Sequence, residues 1–235
     1  MKINFITFGS HASYIDAGNR LIEQAKNTNI FDETTLYTGD DLKKYNIFWE
    51  NHQDFIKNNR RGYGYWLWKP YIIKKTMETM VDGDILLYLD CGCEIDYRNK
   101  DSFSPLIELV KKDMIIGTDS GCSEKEYNKM DLIEKLDMNR DVYLNKTMRQ
   151  AGAVLFLMCD KVREFVNEWY ELGCDYHNID DSSSIIKNFD CFKEHRHDQS
   201  IFSLLIKKNN LVSEHSLVKG KFIIYERNRT GLSKI

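Results

Sequence analysis

Three stretches hold the residues capable of chemistry. In the first, Asp90 closes an apolar run, Ile85-Leu86-Leu87-Tyr88-Leu89, and Glu94 follows it closely. A carboxylate at the carboxyl end of a strand suits a divalent cation bound through oxygen, and an isolated Asp there serves equally well to cap the next turn. The second stretch, Arg60-Arg61-Gly62-Tyr63-Gly64-Tyr65-Trp66-Leu67-Trp68-Lys69-Pro70, combines cationic groups, glycines and large rings. Guanidinium and ammonium groups suit phosphate oxygens, glycine lets backbone approach a ligand, and aromatic faces suit bases and sugars. The same rings would also make a buried plug beneath the following helix. The third, Glu194-His195-Arg196-His197-Asp198-Gln199-Ser200, is the densest polar cluster in the chain. Its H-x-H-D spacing completes no zinc set. The cluster is therefore expected to face substrate, with Asp198 a base or sugar-hydroxyl acceptor, although Asp198 is also a good N-cap for the apolar helix after it.

The elements around these stretches alternate between strand and helix. Residues 2–8 read as a first strand ending at Gly9-Ser10, residues 16–26 as an amphipathic helix, and 34–38 as a second strand. Pro70 suits the first turn of a helix that stops at Asp82-Gly83. The run 85–89 is apolar at every position, as in a strand covered on both faces. Residues 114–117 and 153–158 read as further strands. Ser123 and Glu126 have capping-box spacing, and Val162, Phe165, Val166, Trp169 and Tyr170 have helical spacing. Phe222–Tyr225 is expected to be a last strand and residues 230–235 a frayed tail. The class is α/β with a mostly parallel or mixed sheet flanked by helices.

Several function classes are excluded by composition. With 33 basic against 36 acidic residues, the net charge is −3 and no global field draws the chain to nucleic acid. No apolar run has the length of a membrane span, although peripheral membrane association stays open. Neither a Walker-type Gly-Lys-Thr nor G-x-G-x-x-G occurs, against ATPases and dinucleotide dehydrogenases. The six cysteines lack paired C-x-x-C spacing and read as reduced thiols, which points to the cytoplasm.

Three segments carry a resemblance: Tyr65-Trp66-Leu67-Trp68-Lys69-Pro70, Gly83-Asp84 through Asp90-Cys91-Gly92-Cys93-Glu94-Ile95, and His195-Arg196-His197-Asp198-Gln199-Ser200. In order and spacing they resemble small GT-A-type glycosyltransferases of surface-glycan and capsule pathways, with relatives in large DNA viruses; a viral source would make the expected compartment the host-cell cytoplasm. The resemblance implies one GT-A (nucleotide-diphospho-sugar transferase) domain over residues 1–235, with a nucleotide-binding half (1–100) and an acceptor half (101–235). It implies a nucleotide-sugar donor, a UDP-hexose, and a glycan or glycoconjugate acceptor. Thr7, Phe8, Gly9 and Ser10 would face uracil and ribose, and Arg61 and Lys69 the diphosphate. Gln150, His197 and Gln199 would line the sugar pocket, with Asp198 or Asp119 as the catalytic base. Mn²⁺ or Mg²⁺ would be held by Asp90 with Glu94 and His197, since Gly92 stands where the usual D-x-D motif has its second Asp. The stretch Glu126-Tyr127-Asn128-Lys129-Met130-Asp131 resembles a degenerate copy of the family's aromatic-Thr-Lys-Arg-Asp motif. Two other readings stay open: a non-catalytic carbohydrate- or nucleotide-binding module, and a metal-dependent hydrolase built on His195, His197 and Asp198.

Overall fold

The computed structural model describes residues 1–235. Its central sheet has the strand order β2-β1-β3-β8-β5, built from β1 (Ile3–Gly9), β2 (Glu33–Thr38), β3 (Ile85–Leu89), β5 (Ile115–Ile116) and β8 (Ala153–Leu157). Strand β1 runs parallel to both β2 and β3, whereas β8 runs antiparallel to β3 and β5. The sheet is mixed, and helices flank it. Two small antiparallel pairs complete the strands: β4 (Glu94–Ile95) with β9 (Ile223–Ile224), and β6 (Asp119–Ser123) with β7 (Thr147–Arg149).

Alternation along β3 explains why its run is apolar throughout. Ile85, Leu87 and Leu89 point into one core with Leu21, Ala25, Val110 and Phe222, while Leu86 and Tyr88 point into the other. That second core is formed mainly by α4 (Trp68–Met77), α9 (Asp160–Cys174) and α10 (Asp198–Lys208), and α1 (Ala12–Thr28) and α5 (Ser104–Asp113) cover the opposite face. The remaining helices, α2 (Gly39–Lys44), α3 (Asn46–Asn58), α6 (Glu124–Tyr127), α7 (Met130–Lys135) and α8 (Asp141–Leu144), pack around the rim. Pro70 lies in the first turn of α4, where its missing N–H has no intrahelical carbonyl to lose.

Three expectations are revised. Helix α1 starts at Ala12 rather than Asp16. The last strand contributes only Ile223 and Ile224 and pairs with β4, outside the main sheet. Residues 228–234 are tied down rather than frayed. The buried Arg20 donates to Asn228 O, Thr230 O, Cys91 O and Cys93 O, and Glu94 accepts from Gln24, Asn228, Ser233 and the Lys234 N–H. A buried guanidinium and a buried carboxylate each need several partners, and the tail supplies them.

Candidate functional site

The site forms where the carboxyl ends of β1 and β3 meet the start of β8. Asp90 immediately follows β3, and its N–H donates to Gly152 O at 2.7 Å, across to the residue before β8. Its Oδ1 accepts from the Tyr88 hydroxyl at 2.6 Å and lies 3.3 Å from Lys69 Nζ. Lys69 Nζ is also 2.9 Å from Asp198 Oδ2. One ammonium is thus shared by two carboxylates from distant parts of the chain.

These groups differ in access to solvent, and that difference sorts their roles. The side chains of Lys69 and Asp198 are 3% and 6% exposed, against 35% for Asp90. For Lys69, burial opposes the charge, but Asp198 and Asp90 outweigh it and the pKa rises. For Asp198, burial outweighs the attraction of Lys69, the like charge of Asp90 adds to it, and the carboxyl is pushed up to about 6. The Lys69–Asp198 contact is close but not aligned as a hydrogen bond, which leaves Oδ2 without a proper donor. The Tyr88 phenol, buried beside Asp90, is raised well above its ordinary value and acts only as a donor.

An unusual backbone segment delivers Lys69. Gly62, Tyr63, Gly64, Tyr65 and Trp66 all have positive φ, between 50° and 84°, so the chain makes a full left-handed turn before α4. Glycine takes this conformation freely, whereas each L-residue costs about 1–2 kcal/mol. Gly62 could carry no side chain in any case, because a Cβ would stand 2.3 Å from the Trp66 ring. Packing holds the turn. Trp68 donates its indole N–H to Gly62 O at 2.9 Å and stacks on Phe8 at 3.7 Å between centroids. The rings of Tyr65 and Trp66 stack on His197. Strain retained by this much packing marks a segment whose exact path matters.

His197 has φ 56° and occupies the N-cap position of α10, which places Asp198 at the first helical residue. No side chain caps this terminus, so the capping alternative for Asp198 gives way to its ion pair with Lys69. His197 Nδ1 lies 2.7 Å from Ile179 O and must donate to it. Nε2 is then an acceptor, buried and unpartnered, with Asp181 Oδ1 3.8 Å away. His195 is saturated: Nε2 donates to Asn178 O at 2.7 Å and Nδ1 accepts the Lys129 N–H. Burial pushes its pKa down to about 3, so it stays neutral.

The other expected site residues scatter. Thr7 is fully buried, and Phe8 belongs to the core through its stack on Trp68. Gly9 is needed where β1 passes α1, since a Cβ would meet Tyr14 O at 2.6 Å. Of that quartet only Ser10 reaches the surface, bonded to His11. Arg61 pairs with Asp181 and Glu194 at the rim, and Asp119 pairs with Arg149 and Thr147 on β6. Gln150, just before β8, keeps a buried, unpartnered Oε1, and Gln199 is half-buried in the first turn of α10. Lys129 and Asp131 do not reach the site either. They staple the loop of residues 177–186, Lys129 through His177 O, Asp180 and Ser182, and Asp131 through His177, Ile185 N and Ile186 N.

The metal set implied by the sequence does not assemble. Asp90, Glu94 and His197 converge on no common point: Glu94 is spent on the C-terminal segment, and His197, bonded through Nδ1 to Ile179 O, has Nε2 on the side of Asp181. The position between Asp90 and Asp198 that would attract a cation is filled by Lys69 Nζ. Nor do His195, His197 and Asp198 converge as a metal-holding set: both nitrogens of His195 are bonded within the protein, His197 Nδ1 is bonded to Ile179 O, and Asp198 lies against Lys69.

Sequence reasoning missed Tyr88, hidden in an apolar run, and the C-terminal segment. A Cβ on Gly152 would meet both Asp90 Oδ2 at 2.5 Å and the Tyr225 hydroxyl at 2.4 Å, so Tyr225 borders the exposed face of Asp90. A Cβ on Gly92 would lie 3.1 Å from Glu226 O and 3.4 Å from Arg227 Cα, so residues 226–227 cross over Gly92. Two clefts of about 350 and 300 Å³ lie elsewhere, beside β2 and beside the tail. The chemistry at Asp90 is therefore separate from both.

No protein-family model and no curated protein sequence matches the chain. Among solved structures, the chain is similar to mouse xyloside xylosyltransferase 1, with 10% identity over 92% of this chain and 85% of that one and a TM-score of 0.48. It is similar to galactosyltransferase LgtC, solved with donor and acceptor sugar analogues, at 16% identity over 99% and 84% of the two chains and a TM-score of 0.44. A glycosyltransferase involved in glycosylating the major capsid of PBCV-1 aligns at 11% identity over 73% of this chain, with a TM-score of 0.42. The chain spans 66% of that protein, just under two thirds. No helix is long and apolar enough to cross a membrane.

Proposed function

We propose that the chain is a GT-A-type glycosyltransferase that moves a hexose from a UDP-sugar to a hydroxyl of a glycan acceptor. The observation that carries the reading is Asp90: a carboxylate at the tip of a parallel strand, held on one oxygen by Tyr88 and Lys69 and open to solvent on its other side. Ligands of α/β sheets bind at such carboxyl ends. In the reaction the C1–O bond to the diphosphate breaks and its electron pair leaves with the nucleotide. The acceptor oxygen bonds to C1 and passes its proton to an oxygen of the leaving diphosphate. Asp90, the solvent-open carboxylate of the site, accepts hydroxyl hydrogen bonds from the donor. Asp198 acts through Lys69, which makes it a positioning residue.

Thermal shift with UDP- and GDP-sugars tests the proposal directly. A UDP-hexose is expected to raise the melting temperature of the native chain, and Asp90→Ala to abolish the shift. Failure of every nucleotide sugar to stabilise the native chain would sink the reading. Stabilisation without turnover on any glycan would leave a binding module.

A further inference from the structure

The usual D-x-D motif places two carboxylates around a divalent cation, and here both elements of that arrangement are replaced. The internal position beside Asp90 is taken by Lys69 Nζ, 3.3 Å from Asp90 Oδ1, 2.9 Å from Asp198 Oδ2 and shielded from solvent. The second motif position is Gly92, and the direction in which its side chain would project is closed by the chain at residues 226–227. Asn228 N–H donates to Gly92 O at 3.0 Å and fixes that crossing. Asn228 is in turn buried and bonded to Glu94 and Leu232 O.

The crossing brings cations with it. Arg227 and Arg229 flank the anchored Asn228, and both are exposed. Neither makes an ion pair with an acidic side chain, and Arg229 lies over the ring of Tyr14 on α1 at 5.4 Å. Exposed guanidinium groups without carboxylate partners, on a segment pinned across Gly92 two residues beyond the strand-tip Asp90, are suited to a bidentate anion. Lys69 cannot play that part, because its charge is buried and consumed by two carboxylates.

We infer that this site binds a nucleoside diphosphate without a divalent metal, with Lys69 as the fixed internal cation and Arg227 and Arg229 as the diphosphate ligands. The inference rests on the nucleotide-sugar reading and specifies how the diphosphate is held. In the Asp90 region a cation brought from solution would add to a charge already supplied by Lys69. On the outer side, the two arginines meet the anion with hydrogen bonds that a metal would otherwise replace.

The test uses the full chain, MnCl₂ alone and UDP as probes. The electron paramagnetic resonance signal of free Mn²⁺ is expected to be unchanged by equimolar native protein. Calorimetric titration is expected to give the same UDP affinity, within about twofold, in EDTA and in MnCl₂. Arg227→Ala with Arg229→Ala is expected to weaken UDP at least about tenfold, the loss of a charge-assisted contact, and to flatten the salt dependence of binding. Both side chains are exposed, so an unchanged melting temperature serves as the folding control. Mn²⁺ uptake by the native protein alone, or UDP binding only when Mn²⁺ is present, overturns the inference and leaves the transferase reading standing. Native-like UDP affinity in the double variant overturns the arginine assignment. Absence of UDP binding under every condition overturns both the inference and the proposed function.

Discussion

Asp198→Asn isolates the energetics of the shared lysine. The Asp198 carboxyl is pushed from its ordinary 3.8 up to about 6, first by burial and then by the like charge of Asp90 against the pull of Lys69. Below pH 3.8 the group is protonated in both folded and unfolded chains. Between 3.8 and 6 the unfolded chain loses the proton while the folded chain keeps it. The folded state therefore binds more protons in this window, and its stability falls as pH rises. The span from 3.8 to about 6, at about 1.4 kcal/mol per decade, amounts to about 3 kcal/mol, with about 2.5 kcal/mol of it lost between pH 4 and pH 7. Asparagine removes the titration. Lys69, whose pKa is raised, stays charged throughout and contributes only a constant offset.

The assay is denaturant unfolding of the native chain and the variant at half-unit steps from pH 4 to pH 7. Subtraction removes every other titrating group that the substitution leaves alone. The native-minus-variant stability is expected to decline by about 2.5 kcal/mol across the range. A flat difference would refute the raised pKa. A difference that grows with pH would mean that the ion pair with Lys69 outweighs burial.

Two further outcomes follow from specific contacts. Gly92→Asp creates a D-x-D pattern but pushes a Cβ to 3.1 Å from Glu226 O, and it is expected to cost about 1–3 kcal/mol and to loosen the backbone at residues 226–229 so that trypsin cuts faster after Arg227 and Arg229. Native-like melting and trypsin resistance would show that residues 226–227 do not close that position. In Asp131, burial opposes the charge, but hydrogen bonds from His177, Ile186 N and Ile185 N hold the carboxyl down at about 2. That contribution is present above pH 3.8 and is lost as pH falls toward 2, so Asp131→Ala is expected to cost about 2 kcal/mol at pH 7 and to speed hydrogen exchange at Ile185 and Ile186. Unchanged exchange at those amides would show that the loop is held elsewhere.

The sheet was legible because its signals are local. An apolar run of five residues bounded by Asp84 and Asp90 can hardly be anything but a covered strand, and a Pro in the first turn announces α4. Asp90, Lys69 and Asp198 were all legible as residues of interest from their types. What could not be read was their mutual contact, since nothing near Lys69 in the chain indicates two carboxylate partners from other elements. The sequence placed Lys69 on the diphosphate and Glu94 on a metal; each is consumed by a buried network that only the folded chain creates. The left-handed turn had a partial signal in Gly62 and Gly64, but Tyr63, Tyr65 and Trp66 in the same conformation run against their intrinsic preference and are fixed by tertiary packing. The tail gave no signal, because Arg20 looks like an ordinary surface charge and Glu94 like a ligand for a cation until the segment that buries both is in place.

Charge balance at the site orients the proposed ligand. Two carboxylates and one ammonium leave an excess negative charge, and the only side chain of the three that opens to solvent is Asp90. An anionic group set directly against Asp90 would be repelled, whereas hydroxyls could donate to it at little cost. Under the proposed function, the diphosphate is therefore expected where the exposed Arg227 and Arg229 flank Asn228, and the sugar hydroxyls at Asp90. Gly152 then has a clear role: a side chain there would collide with Asp90 Oδ2 and the Tyr225 hydroxyl. A ligand bound the other way round would bring its phosphates against the carboxylate that Lys69 and Tyr88 hold in place.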